Sequence, residues 1–288
     1  MDHRIIGDRK VSELGYGGMY LSVQGRPSEE QALDALRAVL QNGVTLIDTA
    51  DAYCFDTTDT GHNERLIAKA IRLYAPHPAQ VLVATKGGHF RPGGSWDVNG
   101  RPDYLKSACE ASLKALGVDS IDLYQFHRPD PKVPYAESIG AFAELMAEGK
   151  VRMVGISNAS LEQIRIAQAL IPVVSVQNEF SHWHRNDDHT GVIKYCEDEG
   201  IAYLPWSPFG GGGRAKRLGE IPAIAAVAEE HHVSPYRIVL AWLLKKSPVI
   251  IPIPCSTRSA GVLDNLAAIH VVLSDEQFAA VDSAKPAS

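Results

Sequence analysis

The chain has 288 residues, of which 45% are hydrophobic and 22% are charged, and its formal net charge is −6. This composition is typical of a globular protein, and the mild acidity argues against a non-specific nucleic-acid binder, which needs a basic face. No stretch approaches the roughly 18 consecutive apolar residues of a membrane helix, and the first ten residues lack the apolar core of a signal peptide.

Short β-rich runs alternate with amphipathic helical runs along the chain. A small hairpin is predicted at 3–7 and 10–12, and strands at 13–16, 45–48, 81–86, 121–127, 151–157, 173–177, 202–207 and 249–252. Helices are predicted at 28–41, 63–73, 103–116, 135–148, 161–170, 190–199 and 234–245. This alternation predicts an α/β fold, a (β/α)8 TIM barrel with the N-terminal β-hairpin at the barrel floor. We expect one domain over residues 1–288; a doubly wound open sheet is the alternative.

Polar residues end the predicted strands after apolar runs. The second strand ends at Asp48, the third at Lys86 and the fourth at His127. The later strands end at Ser157-Asn158, at Gln177 and at Trp206-Ser207. Because the C-terminal ends of all barrel strands meet on one face, where active sites lie, these distant residues are expected to converge there.

Asp48 needs a cation, because a buried and unpaired carboxylate is costly, and Lys86 needs an anion. Adjacent strand ends are about 4.8 Å apart, so we expect the two to pair, although such a pair can be purely structural. Tyr53 follows five residues after Asp48, and a neighbouring ammonium is expected to lower its pKa and make it a proton donor. With His127 beside them, these residues suit the protonation of a carbonyl oxygen whose carbon receives a hydride.

Seven segments in sequence order resemble the motifs of the aldo-keto reductase family. They are DTADAY, VLVATKGG, DLYQFHRPD, VRMVGISN, VQNEF, PWSPFGGG and IPIPCSTRSAGVLDN, and the similarity extends from Gly15 to Asn265. The resemblance implies the barrel fold and a reversible, NADPH-dependent reduction of an aldehyde or ketone. It implies that Tyr53 is the general acid, that Lys86 paired with Asp48 lowers its pKa, and that His127 orients the carbonyl.

The chain has no strand-linked G-x-G-x-x-G motif, which ordinarily counts against a nicotinamide cofactor, but the family binds it in an extended form over the strand ends. Motif matching implies that Ser157, Asn158 and Gln177 bind the carboxamide and that Trp206 stacks on the nicotinamide. Further cofactor contacts are implied for Gly18, Met19, Asp48, Ser207, Pro208, Phe209, Gly210 and Gly211. The glycine run also suits a pyrophosphate, because glycines expose backbone N–H groups, but a flexible surface loop is the alternative.

The adenosine end of the cofactor is matched by residues 254–265. The resemblance implies contacts from Pro254, Asp264 and Asn265, with Ser256 and Arg258 as candidates for the 2′-phosphate. Some positions where family members often carry lysine or arginine hold other residues here. We expect NADPH (NADP+) as the cofactor, with NADH less favoured.

Four residues are expected to contact the substrate in loops above the barrel mouth: Tyr20, Phe90, Trp96 and Arg128. Arg128 favours an anionic or polyhydroxylated substrate, but it can equally pair with Asp130 or another surface acid. The histidines of SHWHRNDDH fit no common zinc spacing, so we expect no metal site.

The four cysteines form no C-x-x-C pair, which suits a reducing compartment and a cytoplasmic location. We expect a small-molecule carbonyl substrate as the partner, with no nucleic acid, no membrane and no obligatory protein partner. The alternative function is a cofactor-binding regulatory subunit of the kind that assists ion channels, which shares this barrel. Extra N-terminal sequence or a partner-binding surface would be the feature that favours it.

Overall fold

The computed structural model describes residues 2–286. The chain begins with an antiparallel hairpin of β1 (His3–Ile6) and β2 (Arg9–Ser12). A second small hairpin consists of β6 (His89–Phe90) and β7 (Asp97–Val98). The remaining strands are β3 (Tyr16–Gly17), β4 (Leu46–Asp48), β5 (Leu82–Gly87), β8 (Ile121–Phe126), β9 (Val151–Ser157), β10 (Val173–Gln177) and β11 (Ala202–Tyr203). These seven form one parallel sheet in the spatial order β11, β10, β9, β8, β5, β4, β3.

The sheet curls into a barrel, which the extended segment 249–254 closes. Tyr203 exchanges two backbone hydrogen bonds of 2.8 and 2.9 Å with this segment. On the other side, Gly15 donates to the carbonyl of Pro252 at 2.9 Å, and Gly17 donates to that of Pro254 at 3.0 Å. The segment 249–254 takes the place of the eighth barrel strand and completes the ring. It forms no regular strand because its two prolines have no N–H group to donate. The predicted (β/α)8 barrel is confirmed.

Apolar side chains from alternating strand positions fill the barrel interior. They come from Leu46, Leu82, Ala84, Leu123, Met153, Ala202, Leu204, Ile251 and Ile253. Ile6 and Val11 of the N-terminal hairpin belong to the same buried cluster, and both are fully buried. The hairpin therefore covers the barrel floor, as predicted, so that the opposite end remains for the site.

Helices form the outer layer and bury their apolar faces against the sheet. They are α1 (Glu29–Gln41), α2 (His62–Tyr74), α3 (Pro102–Leu116), α4 (Tyr135–Ala147), α5 (Leu161–Gln168), α6 (Asn186–His189), α7 (Val192–Asp198), α8 (Gly212–Ala215), α9 (Pro222–Glu230), α10 (Pro235–Lys246), α11 (Ser259–Leu266) and α12 (Asp275–Ser283). Across residues 2–286, the helices lack the length and apolar character needed to cross a membrane.

Several predicted bounds differ from the structure. The predicted helix 190–199 corresponds to α7, which begins only after Gly191 because the φ of 78° at Gly191 is left-handed, whereas α6 lies ahead of the predicted range. The predicted strand 202–207 ends at Tyr203, and Trp206 forms only an isolated bridge to Glu179. Five helices, α6, α8, α9, α11 and α12, were not among the sequence-based predictions.

Candidate active site

Lys86 lies at the centre of a buried network at the C-terminal ends of β4 and β5. Its Nζ atom donates to Asp48 Oδ2 at 2.7 Å, to the carbonyl of Thr49 at 2.7 Å and to Tyr53 Oη at 3.0 Å. Gln177, from the end of β10, donates through Nε2 to the other Asp48 oxygen at 2.7 Å. The parallel register of β4 and β5 carries these side chains to the same end of the barrel. The structure thus brings together Asp48, Lys86 and Tyr53.

His127 lies on the other side of Tyr53, directly after β8. The two rings are edge to face, with centroids 5.7 Å apart. Burial, followed by the positive charge of neighbouring groups, lowers the pKa of His127 well below its ordinary value of 6.5, so the imidazole is neutral at physiological pH. Its Nδ1 atom is buried and has no hydrogen-bond partner within the described chain.

The pKa of Tyr53 is raised in the structure and not lowered as the sequence led us to expect. Burial raises the pKa of Tyr53 well above its ordinary value of 10.0, and the negative charge of Asp48 adds to this effect. Lys86 acts in the opposite direction, but its own ammonium is fully buried and its charge is compensated by Asp48. Burial also lowers the pKa of Lys86, while Asp48 opposes this shift.

A cavity of about 600 Å³ opens above this network. It is lined by Gly17, Met19, Tyr20, Asp48, Tyr53, His89, Trp96, His127, Arg128, Ser157, Asn158, Gln177, Trp206, Ser207, Pro208, Phe209, Gly211, Gly212, Ala215, Ile253 and Cys255. Most of the site residues expected from the sequence are in this set. They therefore converge although they come from seven different strand ends and loops.

Phe90 does not line the cavity, in contrast to the prediction. Its ring packs against Tyr104, at a centroid distance of 6.1 Å. Successive residues of a strand point to opposite faces, so within β6 it is His89 that lines the cavity. His89 was not predicted because no sequence pattern indicated this hairpin. Only the alternation of residues along its strands could have shown that His89 faces the cavity.

Two glycines expected near the cofactor also lie outside the lining. Gly18 is covered by Asn63, whose Nδ2 donates to the Gly18 carbonyl at 2.9 Å, and Gly17 lines the cavity in its place. Gly210 packs closely against Trp183 instead: a Cβ atom at this position would lie 2.5 Å from the indole ring. Gly211 and Gly212 do line the cavity, and a Cβ at either would meet no atom within 4 Å.

The predicted carboxamide site is built from side chains that bind one another. Ser157 Oγ donates to the backbone carbonyl of Gln177 at 2.6 Å, and Asn158 Nδ2 donates to Ser157 Oγ at 3.0 Å and to the His127 carbonyl at 2.9 Å. Asn158 adopts a left-handed φ of 55°, which asparagine tolerates better than most residues. Arg128 donates to Asn158 Oδ1 at 3.0 Å, so this amide is held from both ends.

The predicted adenosine residues lie beyond the cavity. Pro254 and Asn265 line a separate small crevice, and the Asn265 side chain is buried. The Asp264 carboxylate is engaged within the protein, because it accepts from Ser234 Oγ at 2.6 Å and from Arg237 Nε at 2.8 Å. This bonding differs from the expected adenine contact.

Ser256 and Arg258 are the two residues expected at the 2′-phosphate. Ser256 Oγ accepts from the backbone N–H of Arg258 at 3.2 Å and donates to its carbonyl at 3.0 Å. The Arg258 side chain is exposed, and its guanidinium has no hydrogen-bond or ion-pair partner among residues 2–286.

The residues on the cavity wall fit a nicotinamide cofactor. Trp206 offers an aromatic wall, and its Nε1 atom is buried without a partner within residues 2–286. The Gln177 amide donates to Asp48, and no described residue donates to its Oε1 atom, which is left as an acceptor. The open space beside Gly211 and Gly212 lets a ligand approach the backbone closely.

Comparisons with known proteins agree with this geometry. The family model described as the Aldo/keto reductase family matches residues 13–286. An uncharacterised oxidoreductase of Schizosaccharomyces pombe is 36% identical over 282 residues, which cover 96% of this chain and 88% of that protein. A probable aldo-keto reductase 1 of Glycine max is 33% identical over 306 residues, which cover 96% of this chain and 86% of that protein.

A solved structure supports the same assignment. The crystal structure of an aldo-keto reductase from Klebsiella pneumoniae in complex with NADPH has a TM-score of 0.81 at 25% identity, with 98% of this chain and 95% of that chain covered. Together with the match over residues 13–286, these similarities show that the chain belongs to the aldo/keto reductase family of NAD(P)H-dependent oxidoreductases.

Proposed function

We propose that this protein reversibly reduces an aldehyde or ketone to the alcohol, with NADPH as the reductant and Tyr53 as the proton donor. The observation that carries the proposal is the 3.0 Å contact between Lys86 Nζ and Tyr53 Oη at the base of a cavity that His127 also lines. A phenol, an ammonium and an imidazole around one space suit the protonation of a carbonyl oxygen.

Tyr53 holds the proton to be transferred. Because burial raises its pKa, the hydroxyl remains protonated at neutral pH and is available as a general acid. Lys86 donates to the same oxygen, so its positive charge stabilises the phenolate that remains when the proton leaves. In the oxidation direction, that phenolate accepts the proton of an alcohol.

His127 orients the carbonyl oxygen. A neutral imidazole carries one N–H group, which can donate to the substrate oxygen without placing a second full charge near Lys86. Tyr53 and His127 then provide two donors for one oxygen and polarise the carbonyl before the proton moves. Asp48 compensates the Lys86 charge and is itself held by Gln177.

A bound NADPH supplies the hydride that reduces the carbonyl carbon. On the nicotinamide side, Trp206 offers its ring for stacking, and Ser157, Asn158 and Gln177 offer amide and hydroxyl groups to the carboxamide. We place the pyrophosphate along the part of the cavity wall that is formed by Ser207, Pro208, Phe209 and Gly211.

We place the 2′-phosphate of NADPH at Arg258, whose side chain is exposed. This position favours NADPH over NADH, because NADH has no phosphate for the guanidinium to bind. The Michaelis constants for the two cofactors test the preference. We expect a lower value for NADPH, and Arg258→Met should remove most of the difference; equal constants in the wild type would refute the preference.

A panel of aldehydes and ketones tests the proposed function. Purified protein should consume NADPH in the presence of at least one class of carbonyl and should form the corresponding alcohol, detected by mass spectrometry. The matched control is Tyr53→Phe, which removes only the hydroxyl. Absence of turnover across aliphatic, aromatic and sugar carbonyls, in protein that binds NADPH, would reject the proposal.

A further inference from the structure

Arg128, the residue that follows His127 in the sequence, lines the cavity and bears a positive charge. Among residues 2–286, no aspartate or glutamate forms an ion pair with its guanidinium, whereas Arg237 binds Asp264 at 2.8 Å and Arg26 binds Asp59 at 2.6 Å. The expected alternative partner, Asp130, instead accepts from backbone N–H groups. Arg128 is therefore not occupied by a surface ion pair.

The other charged residue that lines the cavity, Asp48, is compensated. Asp48 and Lys86 neutralise each other at 2.7 Å. The negative charge of Glu179 acts on Arg128 through space, but the two side chains form no ion pair. Within residues 2–286, Arg128 is thus the charged residue of the cavity wall that has no ion-pair partner.

Neutral acceptors fix the orientation of the Arg128 head. His89 Nδ1 lies 2.9 Å from the Asp97 carbonyl, which can only accept, so Nδ1 carries the proton and Nε2 is an acceptor. Arg128 Nε donates to that Nε2 at 3.3 Å, and Arg128 Nη2 donates to Asn158 Oδ1 at 3.0 Å. Burial lowers the pKa of His89 to about 4, which agrees with a neutral acceptor. A guanidinium has five N–H groups, so the larger part of this fork remains available.

We propose that Arg128 binds an anionic group, a carboxylate or a phosphate, of the carbonyl substrate, an inference that rests on the proposed function. A guanidinium held by two neutral acceptors presents its remaining donors as a planar fork, the geometry that suits such oxygens. His89 positions this fork and does not take part in the chemistry.

The arrangement limits the size of the substrate. The His89 and His127 rings are 4.4 Å apart, and Arg128 Nε lies 3.3 Å from His89 Nε2. Because His127 and Arg128 both contact the His89 ring, we place the anionic group within about the width of one ring of the carbonyl oxygen. Trp96 contacts His89 at a centroid distance of 5.4 Å and Tyr53 at 6.4 Å, which gives the space between them an aromatic wall. The substrate class is a small aldehyde or ketone with an acidic group a short chain or one ring away.

Matched substrate pairs test this inference. The first pair is para-carboxybenzaldehyde and its methyl ester, and the second is glyceraldehyde phosphate and glyceraldehyde. The proteins are wild type, Arg128→Met, Arg128→Lys and the control Arg101→Met, which removes an exposed charge bonded to Asp103 outside the cavity. Steady-state kinetics and the dissociation constant for NADPH are measured for each protein.

We expect Arg128→Met to lower kcat/KM for one of the anionic substrates by about 10- to 100-fold, the range of a charge-assisted contact, and to change its neutral partner much less. Arg128→Lys should keep part of the preference, and Arg101→Met should keep all of it. The affected pair identifies carboxylate or phosphate. Equal losses on anionic and neutral substrates together with weaker NADPH binding would show that Arg128 only positions Asn158, and would overturn the inference. Reduction of the neutral compounds without any anionic preference would also overturn it while leaving the proposed function intact.

Discussion

The ammonium of Lys86 lies 3.0 Å from the hydroxyl of Tyr53, and the Lys86 side chain has no exposed surface. A buried ammonium persists only when its charge is compensated and its donors are bonded. Asp48, the Thr49 carbonyl and Tyr53 each accept one of its three N–H groups. These contacts therefore have two effects: they place the Lys86 ammonium beside the Tyr53 hydroxyl, and they stabilise that ammonium in its buried position.

Lys86→Met is expected to destabilise the protein as well as to inactivate it. Removal of one partner leaves Asp48 buried and uncompensated, which costs about 3–5 kcal/mol. The measurement is the free energy of unfolding in urea. In the control, Asp48→Asn combined with Lys86→Met, both charges are absent, so most of the stability should return while activity stays lost. If Lys86→Met alone were as stable as the wild type, the Asp48–Lys86 pair would not contribute to stability in the way described.

Buried neutral histidines are expected to make the fold sensitive to mild acid. Burial lowers the pKa of both His89 and His182 from 6.5 to about 4. Below pH 6.5 these two histidines therefore bind more protons in the unfolded chain than in the folded chain, and their contribution to stability is lost as the pH falls toward 4. Buried carboxyl groups such as Glu64, whose pKa is raised by burial, act in the opposite direction, so a difference between two proteins is more informative than one curve.

The variant His182→Gln removes the contribution of one of these two histidines to the pH dependence of stability. His182 Nε2 lies 2.9 Å from the Val281 carbonyl, and a glutamine amide can donate to the same oxygen. Between pH 6 and pH 4.5, the free energy of unfolding of this variant should decline less steeply, by up to about 1.4 kcal/mol per pH unit. Parallel curves for variant and wild type would contradict the assignment of a neutral histidine.

The glycines that follow β11 are expected to differ in their tolerance of a side chain. Gly210 has a φ of 78°, and a Cβ there would lie 2.5 Å from Trp183, so Gly210→Ala should cost about 1–3 kcal/mol. Gly213 lies in α8, where a Cβ meets no atom within 4 Å. Gly213→Ala should therefore be neutral or slightly stabilising. Thermal unfolding of the two variants checks this, and an equal loss in both would count against the described loop conformation.

The barrel and its central residues were predictable from the sequence because each depends on a local pattern. Asp48, Lys86 and His127 each end an apolar run, and the rule that parallel strand ends share one face brings them together without knowledge of any contact. The eighth strand was predicted in the right place, but the prolines at 252 and 254 remove two donors, so the chain closes the ring without forming regular strand pairs.

Contacts between distant helices and loops were not predictable in this way. Arg237 of α10 holds Asp264 of α11, and no local signal in either helix indicates that pair. The hairpin of β6 and β7 is too short to show alternation, so the sequence did not indicate that His89 and not Phe90 faces the cavity. The raised pKa of Tyr53 was missed because a sequence gives the neighbouring charge of Lys86 but not the extent of burial.

The most direct test of the account is the turnover of Tyr53→Phe with a carbonyl that the wild type reduces. Phenylalanine keeps the ring that contacts Trp96 and His127 but has no proton to donate. We expect kcat/KM to fall by about 10²- to 10⁴-fold, the usual contribution of a general acid, with an unchanged dissociation constant for NADPH. Near wild-type turnover in this variant would contradict the assignment of Tyr53 as the proton donor.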